Sequence, residues 1–264
     1  MAVQKANVLS IDGRKPLCPE LDEQLMQSFA SKKSPVYMKA YERDAHLKKR
    51  VMDKCAKDPL FFILGGFVRT YDSHDQENPY KPLPAMDLMR EVLKFIHSDD
   101  EVNAIAKSRQ MMISWLICAY AVWDARFHRA RNVMIQSKKA EDAWALVFYN
   151  DWLTSRCAFI EAALPPWFWL DNDGKYVTGT RGKLLYPHGS VIQAIPGGAH
   201  HFRSHTASLA FIDEACFMPD FGETYKAALA MVKGGGKLRI VSSAKYGSYF
   251  GNLIQAEQHL ESAA

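Results

Sequence analysis

Short apolar runs alternate with helical segments through the second half of the chain. Strands covered on both faces of a parallel sheet read as nearly continuous apolar stretches. Four such runs predict core strands, at residues 101–106, 132–136, 208–212 and 237–242. Helices are predicted at 114–126 and 138–151, and a hairpin around Pro187–Gly189 joins runs at 183–186 and 190–195. This order predicts an α/β fold with a mainly parallel central sheet flanked by helices.

The first hundred residues are predicted to differ from this core. Residues 1–20 are polar and predicted to be loose, and residues 20–57 are predicted to be helical and rich in Lys and Arg. A loop-like stretch at 68–84 precedes a helix predicted at 85–98 from its apolar spacing. Three parts are therefore predicted: a helical N-terminal segment at 1–100, the α/β core at 101–246 and a tail at 247–264.

Composition narrows the class of protein. With 264 residues, 48% of them hydrophobic, the chain can bury one large core or a core with a smaller domain. The net charge of +4 permits a nucleic-acid partner without demanding one. Five scattered cysteines without a CxxC predict neither disulfides nor a zinc site and fit a reducing cytoplasm. The longest apolar stretch, at 115–123, is too short for a membrane span, and no signal peptide is predicted.

Two adjacent carboxylates, Asp213 and Glu214, follow the predicted strand at 208–212. Ligands of open α/β sheets bind outside the carboxyl ends of the strands, which predicts both side chains at the rim of a site. In nucleotide hydrolases one carboxylate of such a pair holds Mg²⁺, and the other positions or deprotonates the attacking water. Acidic residues also suit the positive end of a helix dipole, so the pair alone leaves both interpretations open.

The segment from Ala106 to Trp115 joins the first predicted core strand to the first core helix. A phosphate-binding loop lies at this place in α/β nucleotide-binding proteins. The segment contains Ser114 at the start of the helix, where a hydroxyl can reach Mg²⁺. It lacks the usual Gly-Lys, because Met112 and Ile113 stand in those positions. On its own, the segment favours an ordinary strand-to-helix turn.

The pattern Lys-Ser-Arg-Gln-x-x-x-Ser-Trp at 107–115 resembles the variant Walker A loop of large terminase subunits, the DNA-packaging motors of tailed bacteriophages. Some members carry the phosphate-binding lysine at the start of the loop, where Lys107 stands. The resemblance implies that Ser114 is linked to Mg²⁺ and that Arg109 is a catalytic residue near the phosphates. It implies these phosphate-binding positions: Lys107, Ser108, Arg109, Gln110, Met111, Met112, Ile113 and Ser114.

Later motifs of the family have counterparts in the same order. The run Phe-Ile-Asp-Glu at 211–214 resembles the Walker B strand, which implies Asp213 on the metal and Glu214 as the catalytic acid. Arg203 falls where the family carries an arginine that, in some members, acts on a neighbouring subunit's nucleotide. The pair Ser242–Ser243 resembles the coupling motif, which links hydrolysis to movement.

The resemblance implies an ASCE-type P-loop NTPase that hydrolyses ATP with Mg²⁺ and moves double-stranded DNA into a procapsid. It implies a homo-oligomeric ring that works with a portal protein and the small terminase subunit, without a membrane partner, in the cytoplasm of the infected bacterial host. Adenine is expected near Tyr80–Pro82 and the helix that starts at Ala85. Residues 247–264 would be a C-terminal tail or the start of a linker to a nuclease domain that this sequence lacks.

The loop at 106–115 departs from the family because it contains no glycine, although terminase loops usually have one where Met112 stands. Glycine lets backbone N–H groups approach phosphate closely. The departure keeps a second function open, that of a weakly hydrolysing nucleotide-binding or assembly module of a DNA-processing complex.

Three further groups of residues have two interpretations each. The aromatic run Trp167–Trp169 could stack bases, although packing of a loop on the core is favoured. His200, His201 and His205 could hold a metal, but their spacing is loose and a mobile, polar loop is favoured. Lys138–Lys139 could contact a DNA backbone but favours a solvated position.

Overall fold

An eight-stranded sheet and a separate two-stranded hairpin contain all the strands in the described part of the chain. The computed structural model describes residues 7–8, 45–77, 79–108, 111–165, 168, 175–203, 206–243, 245 and 247–255. The strands are β1 (Asn7–Val8), β2 (Arg69–Tyr71), β3 (Tyr80–Pro82), β4 (Val102–Lys107), β5 (Asn132–Gln136), β6 (Thr178–Thr180), β7 (Lys183–Leu185), β8 (Val191–Ile195), β9 (Leu209–Asp213) and β10 (Lys237–Ser243).

Helices cover both faces of the large sheet. They are α1 (Ala45–Lys57), α2 (Pro59–Leu64), α3 (Asp87–His97), α4 (Ile113–Phe127), α5 (Ala140–Leu146), α6 (Arg156–Ala163), α7 (His200–Arg203) and α8 (Phe221–Val232). A 3₁₀ helix spans Ala215–Phe217, and residues 249–255 are helical as well. No helix in the described ranges has both the length and the apolar character that crossing a bilayer would need.

The strand order of the large sheet is β1-β6-β7-β8-β5-β9-β10-β4. The strands from β8 to β4 in this order run parallel, whereas β7 pairs with β8 and β6 in antiparallel fashion. One strand, β10, lies between the strand that leads into the candidate phosphate loop and the strand that ends in Asp213. The predicted α/β fold, with a mainly parallel central sheet flanked by helices, is confirmed.

The apolar runs of the core strands are explained by burial on both faces. On β5 and β9, Val133 and Phe211 belong to one buried cluster with α4 and α6. Their sequence neighbours Met134 and Ile212 belong to a second cluster with α8 on the opposite face. Because side chains alternate along a strand, a sheet covered on both sides needs apolar residues at consecutive positions.

The predicted helix at 138–151 is too long, and the structure shows a reason. α5 ends at Leu146, and the next helix, α6, was not predicted. Between them, Asp151 Oδ1 accepts hydrogen bonds from the backbone N–H groups of Leu153 and Thr154, at 2.7 and 2.9 Å. Ser155 Oγ accepts one from Tyr149 N at 2.8 Å. Such short polar side chains satisfy the backbone locally and compete with helix formation.

Other expectations from the sequence have mixed outcomes. The hairpin at 183–186 and 190–195 is confirmed as β7 and β8. The prediction of a loop at 68–84 was wrong in part, because β2 and β3 pair there. Asn7–Val8, predicted to be loose, pairs with β6, and α8 was not predicted. Residues of α1, α2 and α3 belong to the same buried cluster as the core strands, and the division at 100 and 246 stays a prediction.

Candidate active site

The end of β9 and the start of α4 meet at the carboxyl edge of the sheet. Ser114 Oγ, in the first turn of α4, donates a hydrogen bond to Asp213 Oδ2 at 3.0 Å. The other oxygen of Asp213, Oδ1, accepts from the backbone N–H of Glu214 at 3.1 Å. The hydroxyl and the carboxylate predicted to share a metal are therefore in direct contact.

Asp213 lies in a buried position that disfavours its charge. Burial raises the pKa of its carboxyl, and the neighbouring charge of Glu214 raises it further. The hydrogen bond from Ser114 and the positive charges of Lys107 and Arg156 lower the pKa but do not offset the burial. A buried carboxylate of this kind favours a cation beside it, and a hydroxyl with a carboxylate oxygen suits Mg²⁺, which keeps water and phosphate as its remaining ligands. These residues fit the implied metal.

Lys107, the last residue of β4, forms an ion pair with Glu214. The Lys107 Nζ and Glu214 Oε1 atoms lie 3.4 Å apart. The Lys107 side chain is only 9% exposed and that of Glu214 is 26% exposed, so water screens the pair less than it screens a surface pair. The displaced lysine of the loop thus contacts the carboxylate predicted to act on water.

Two residues of the site have an unusual backbone conformation. Met112 (φ 55°) and Glu214 (φ 58°) are in the left-handed region, which non-glycine residues enter at a cost. Among the described residues, Ala130 is the only other non-glycine residue with a positive φ. Met112 therefore adopts the conformation that glycine favours, at the position where terminase loops usually have glycine.

A pair of valine substitutions tests this conformation. Met112→Val is expected to lower the free energy of unfolding by about 1 kcal/mol or more beyond the cost of Met111→Val, because a β-branched side chain tolerates the left-handed region poorly. Met111 is the matched control, since it is also partly buried against the same core and its φ is not positive. Urea denaturation of both variants measures the difference, and equal losses would contradict the left-handed conformation.

The predicted coupling residues connect β10 to the segment after Glu214. Ser242 Oγ accepts a hydrogen bond from Cys216 N at 2.9 Å and donates one to Ser243 O at 3.1 Å. Cys216 Sγ also lies 3.2 Å from Ser248 Oγ, in the chain that follows β10. In the sheet register, Ser243 is opposite Lys107. A buried polar contact thus joins the end of β10 to the 3₁₀ helix that Glu214 precedes.

Some predicted site residues lie elsewhere or outside the described residues. Ser108 is exposed, Met111 is partly buried, and Ile113 packs in the core, so Ile113 cannot replace the usual lysine. Arg109 and Gln110 lie outside the described residues. Arg203 ends α7, but its side chain is likewise outside them. Their roles stay predictions.

The structure describes only some of the aromatic, histidine and lysine residues that had two interpretations. Phe168 is buried and contacts Phe62 and Phe67 edge to face, which agrees with core packing. Trp167, Trp169 and His205 lie outside the described residues, as does the side chain of His200, and His201 is half-buried. Lys138 Nζ lies 4.0 Å from Asp142 Oδ2 on a solvated surface.

The region predicted to hold adenine lies beside the start of α4. The Tyr71 ring contacts Trp115 and Phe159 edge to face, with centroids 5.1 and 5.2 Å apart. Tyr80 stacks on Phe159 at 5.7 Å. Since Trp115 directly follows Ser114, the hairpin of β2 and β3 borders the same end of α4 as the Ser114–Asp213 contact.

Comparisons with known proteins return a likeness in structure and none in sequence. No family model and no curated protein matches the chain. The large terminase of a thermophilic bacteriophage, solved in complex with ADP, is 14% identical with a TM-score of 0.48, over 66% of this chain and 43% of that one. The HK97 bacteriophage large terminase is 14% identical with a TM-score of 0.49, over 79% and 42%.

The present chain spans less than half of each of these two proteins. It spans a larger share of a solved structure that contains one terminase domain alone. The large terminase ATPase domain of Thermus phage P74-26 is 18% identical with a TM-score of 0.46, over 64% of this chain and 73% of the domain. All three structures are of bacteriophage large terminases, the family whose motifs the sequence resembles.

Proposed function

We propose that the chain is an ATPase domain that hydrolyses Mg-ATP and belongs to a terminase-like motor. The observation that carries this proposal is the convergence of Ser114 with Asp213, and of Lys107 with Glu214, at the carboxyl edge of three neighbouring strands. A hydroxyl, a metal-binding carboxylate, a cation and a second carboxylate are the groups that phosphoanhydride hydrolysis needs.

The N-terminus of α4 and Lys107 would bind the nucleotide. The N-terminus of α4 offers the positive end of its dipole and the backbone N–H groups of its first residues to a phosphate. Lys107 leaves Glu214 and neutralises phosphate charge, because a polyanion competes effectively for a compact ammonium group. Ser114 and Asp213 would hold Mg²⁺, which when bound neutralises the charge that develops on the phosphates.

Glu214, released from Lys107, then acts on the attacking water. Its carboxylate accepts a hydrogen bond from the water and orients it for in-line attack on the γ-phosphate. Arg203 and Arg109 are the arginines proposed to stabilise the charge of the transition state, Arg203 from a neighbouring subunit's site. Release of both phosphate and ADP would allow Lys107 and Glu214 to pair again.

Coupling to movement would begin at the contact of Ser242 with Cys216. This contact ties the end of β10 to the segment directly after Glu214, so a shift of Glu214 reaches β10 through a buried hydrogen bond. In the proposed motor, that movement translocates double-stranded DNA, with a ring of subunits, a portal protein and a small subunit as partners.

The Lys107–Glu214 ion pair also favours the second function. If the pair persists when ATP binds, Glu214 cannot orient water and the chain binds nucleotide with little hydrolysis. The two functions differ in one observable, which is Mg²⁺-dependent steady-state phosphate release at several protein concentrations.

Substitution of Lys107 tests both the site and the function. Lys107→Ala removes a charge-assisted contact of about 1.5–3 kcal/mol, so ADP is expected to bind about tenfold to a hundredfold more weakly. Phosphate release at subsaturating Mg-ATP is expected to fall as well. Fluorescent ADP titration and steady-state phosphate release measure the two effects.

Lys237→Ala is the matched control for this substitution. Lys237 also forms a carboxylate ion pair, with Asp99 at 3.0 Å, but it lies at the amino end of β10 on the opposite edge of the sheet. Its removal is expected to leave ADP affinity unchanged. Equal ADP affinity in Lys107→Ala and the wild type would exclude Lys107 from the site, and absence of Mg²⁺-dependent turnover in the wild type would favour the second function.

A further inference from the structure

Arg156, which belongs to none of the motifs above, lies at the same end of the fold as Ser114. It begins α6, which packs against α4. The ring of Phe159, in the first turn of α6, lies 5.9 Å from the ring of Trp115, in the first turn of α4. The start of α6 therefore lies beside the start of α4, at the carboxyl edge of the sheet.

The guanidinium group of Arg156 is held over an aromatic ring beside the site. Its Cζ lies 5.7 Å from the ring centroid of Trp115, the residue after Ser114. Its Nε is buried and has no hydrogen-bond partner among the residues that the structure describes. Buried N–H donors are nearly always paired in folded proteins, so an unpaired one in a candidate site indicates a place for an acceptor.

The charge balance of the site also indicates a role for a further cation. Lys107 is paired with Glu214 in the absence of nucleotide, and the Ile113 side chain is buried in the core where most P-loops have a lysine, so Lys107 would face the phosphates without a second lysine beside it. The positive charge of Arg156 already acts on the site, since it lowers the pKa of Asp213. A stacked guanidinium is pre-organised and presents a planar fork that matches phosphate oxygens.

We propose that Arg156 binds the phosphates of the nucleotide from within the same chain, with Trp115 as the platform that orients its guanidinium group. This role rests on the proposed function, since it assigns a further phosphate ligand to the same site. Its neighbour Trp115 lies in the first turn of α4, where the phosphates of either nucleotide would bind. Arg156 would therefore act on ADP as well as on ATP.

The test compares ADP with adenosine, which has the same base and sugar but no phosphate. Displacement of a fluorescent ADP analogue by ADP and by adenosine is measured for the wild type, Arg156→Gln and Arg156→Lys. Arg156→Gln is expected to bind ADP at least tenfold more weakly and adenosine with unchanged affinity. Arg156→Lys keeps the charge but loses the fork, so its ADP affinity is expected to lie between the two.

Arg181→Gln is the matched control. The Arg181 guanidinium also lies over aromatic rings, 5.5 Å from the centroids of both Trp144 and Tyr149, but it is exposed and follows β6. It is expected to bind ADP like the wild type. If Arg156→Gln does not fold, Arg156→Lys decides alone, with weaker ADP binding and unchanged adenosine binding as the supporting result.

The outcomes separate this proposal from the proposed function. Wild-type ADP affinity in Arg156→Gln, or an equal loss of adenosine and ADP affinity, overturns the role of Arg156 while the Lys107→Ala result stands. A wild-type chain that binds no ADP overturns both proposals together.

Discussion

Glu214→Gln is expected to slow the release of phosphate from Mg-ATP by about 10²–10⁴-fold, the usual contribution of a general base. The glutamine keeps the size of the side chain but cannot accept a proton from the attacking water. It also removes the charge that holds Lys107 at 3.4 Å, so Lys107 becomes available to phosphate. ATP affinity is therefore expected to stay equal or to increase while turnover falls.

Single-turnover hydrolysis and a binding titration separate these two effects. Glu223→Gln is the control, because Glu223 is an exposed carboxylate of α8 that pairs with Lys226 at 2.9 Å, away from the site. It is expected to leave both quantities unchanged. Near-normal turnover in Glu214→Gln would remove Glu214 from the mechanism, and weaker ATP binding would contradict the competition between Glu214 and phosphate for Lys107.

The core of the fold could be predicted because its signal is local. The strands β5, β9 and β10 are buried on both faces, so they appear as apolar runs with the chemistry at their ends. The strand β4 lies at the edge of the sheet and is only partly buried, but its apolar positions still predict a strand. Asp213 and Ser114 follow from that rule, since the ends of parallel strands share an edge. The helix break between α5 and α6 depends instead on single side chains such as Asp151, whose competition with the helix is not visible as periodicity.

The features of the site that the sequence could not predict depend on the packing of the fold around each residue. Lys107 and Glu214 are 107 positions apart, and nothing in either motif predicts that they pair with each other. Met112 reads as an unfavourable replacement for glycine, yet its backbone adopts the left-handed conformation. In the sequence, nothing distinguishes Arg156 from the many other cations. Its place near the site is seen only in the structure, where α6 packs beside α4 and the guanidinium lies over Trp115.

Asp213→Asn is expected to abolish Mg²⁺-dependent hydrolysis and, without ligand, to stabilise the fold. The asparagine Oδ1 can still accept the hydrogen bond from Glu214 N, and its Nδ2 can donate to Ser114 Oγ, which reverses the direction of that contact, but the side chain carries no charge into the buried position. Removing a buried charge that burial disfavours is expected to raise the free energy of unfolding by about 1–3 kcal/mol near neutral pH. Thermal denaturation without Mg²⁺ or nucleotide measures the gain.

The pH dependence of this gain identifies its cause. Because burial raises the pKa of Asp213, the folded wild type binds the proton more tightly than the unfolded chain, and its stability falls as the pH rises above the ordinary Asp range. Asp213→Asn has no carboxyl at this position, so its stability does not fall with pH for this reason. The difference between the two proteins is expected to be small at a pH below the ordinary Asp range and to grow towards neutrality, whereas a constant difference would contradict the raised pKa.

A buried aspartate at the other end of α4 gives a control of opposite sign. Asp124 is also buried, but its Oδ2 accepts a hydrogen bond from Arg131 Nε at 2.9 Å, so its charge has a partner. Asp124→Asn is expected to destabilise the fold, because the partly buried arginine loses its counter-ion. Addition of Mg-ATP is then expected to raise the denaturation temperature of the wild type and of Asp124→Asn, since a ligand that binds the folded state stabilises it. Asp213→Asn is expected to show a much smaller shift, because the carboxylate that destabilises the empty fold is the group that would hold the metal.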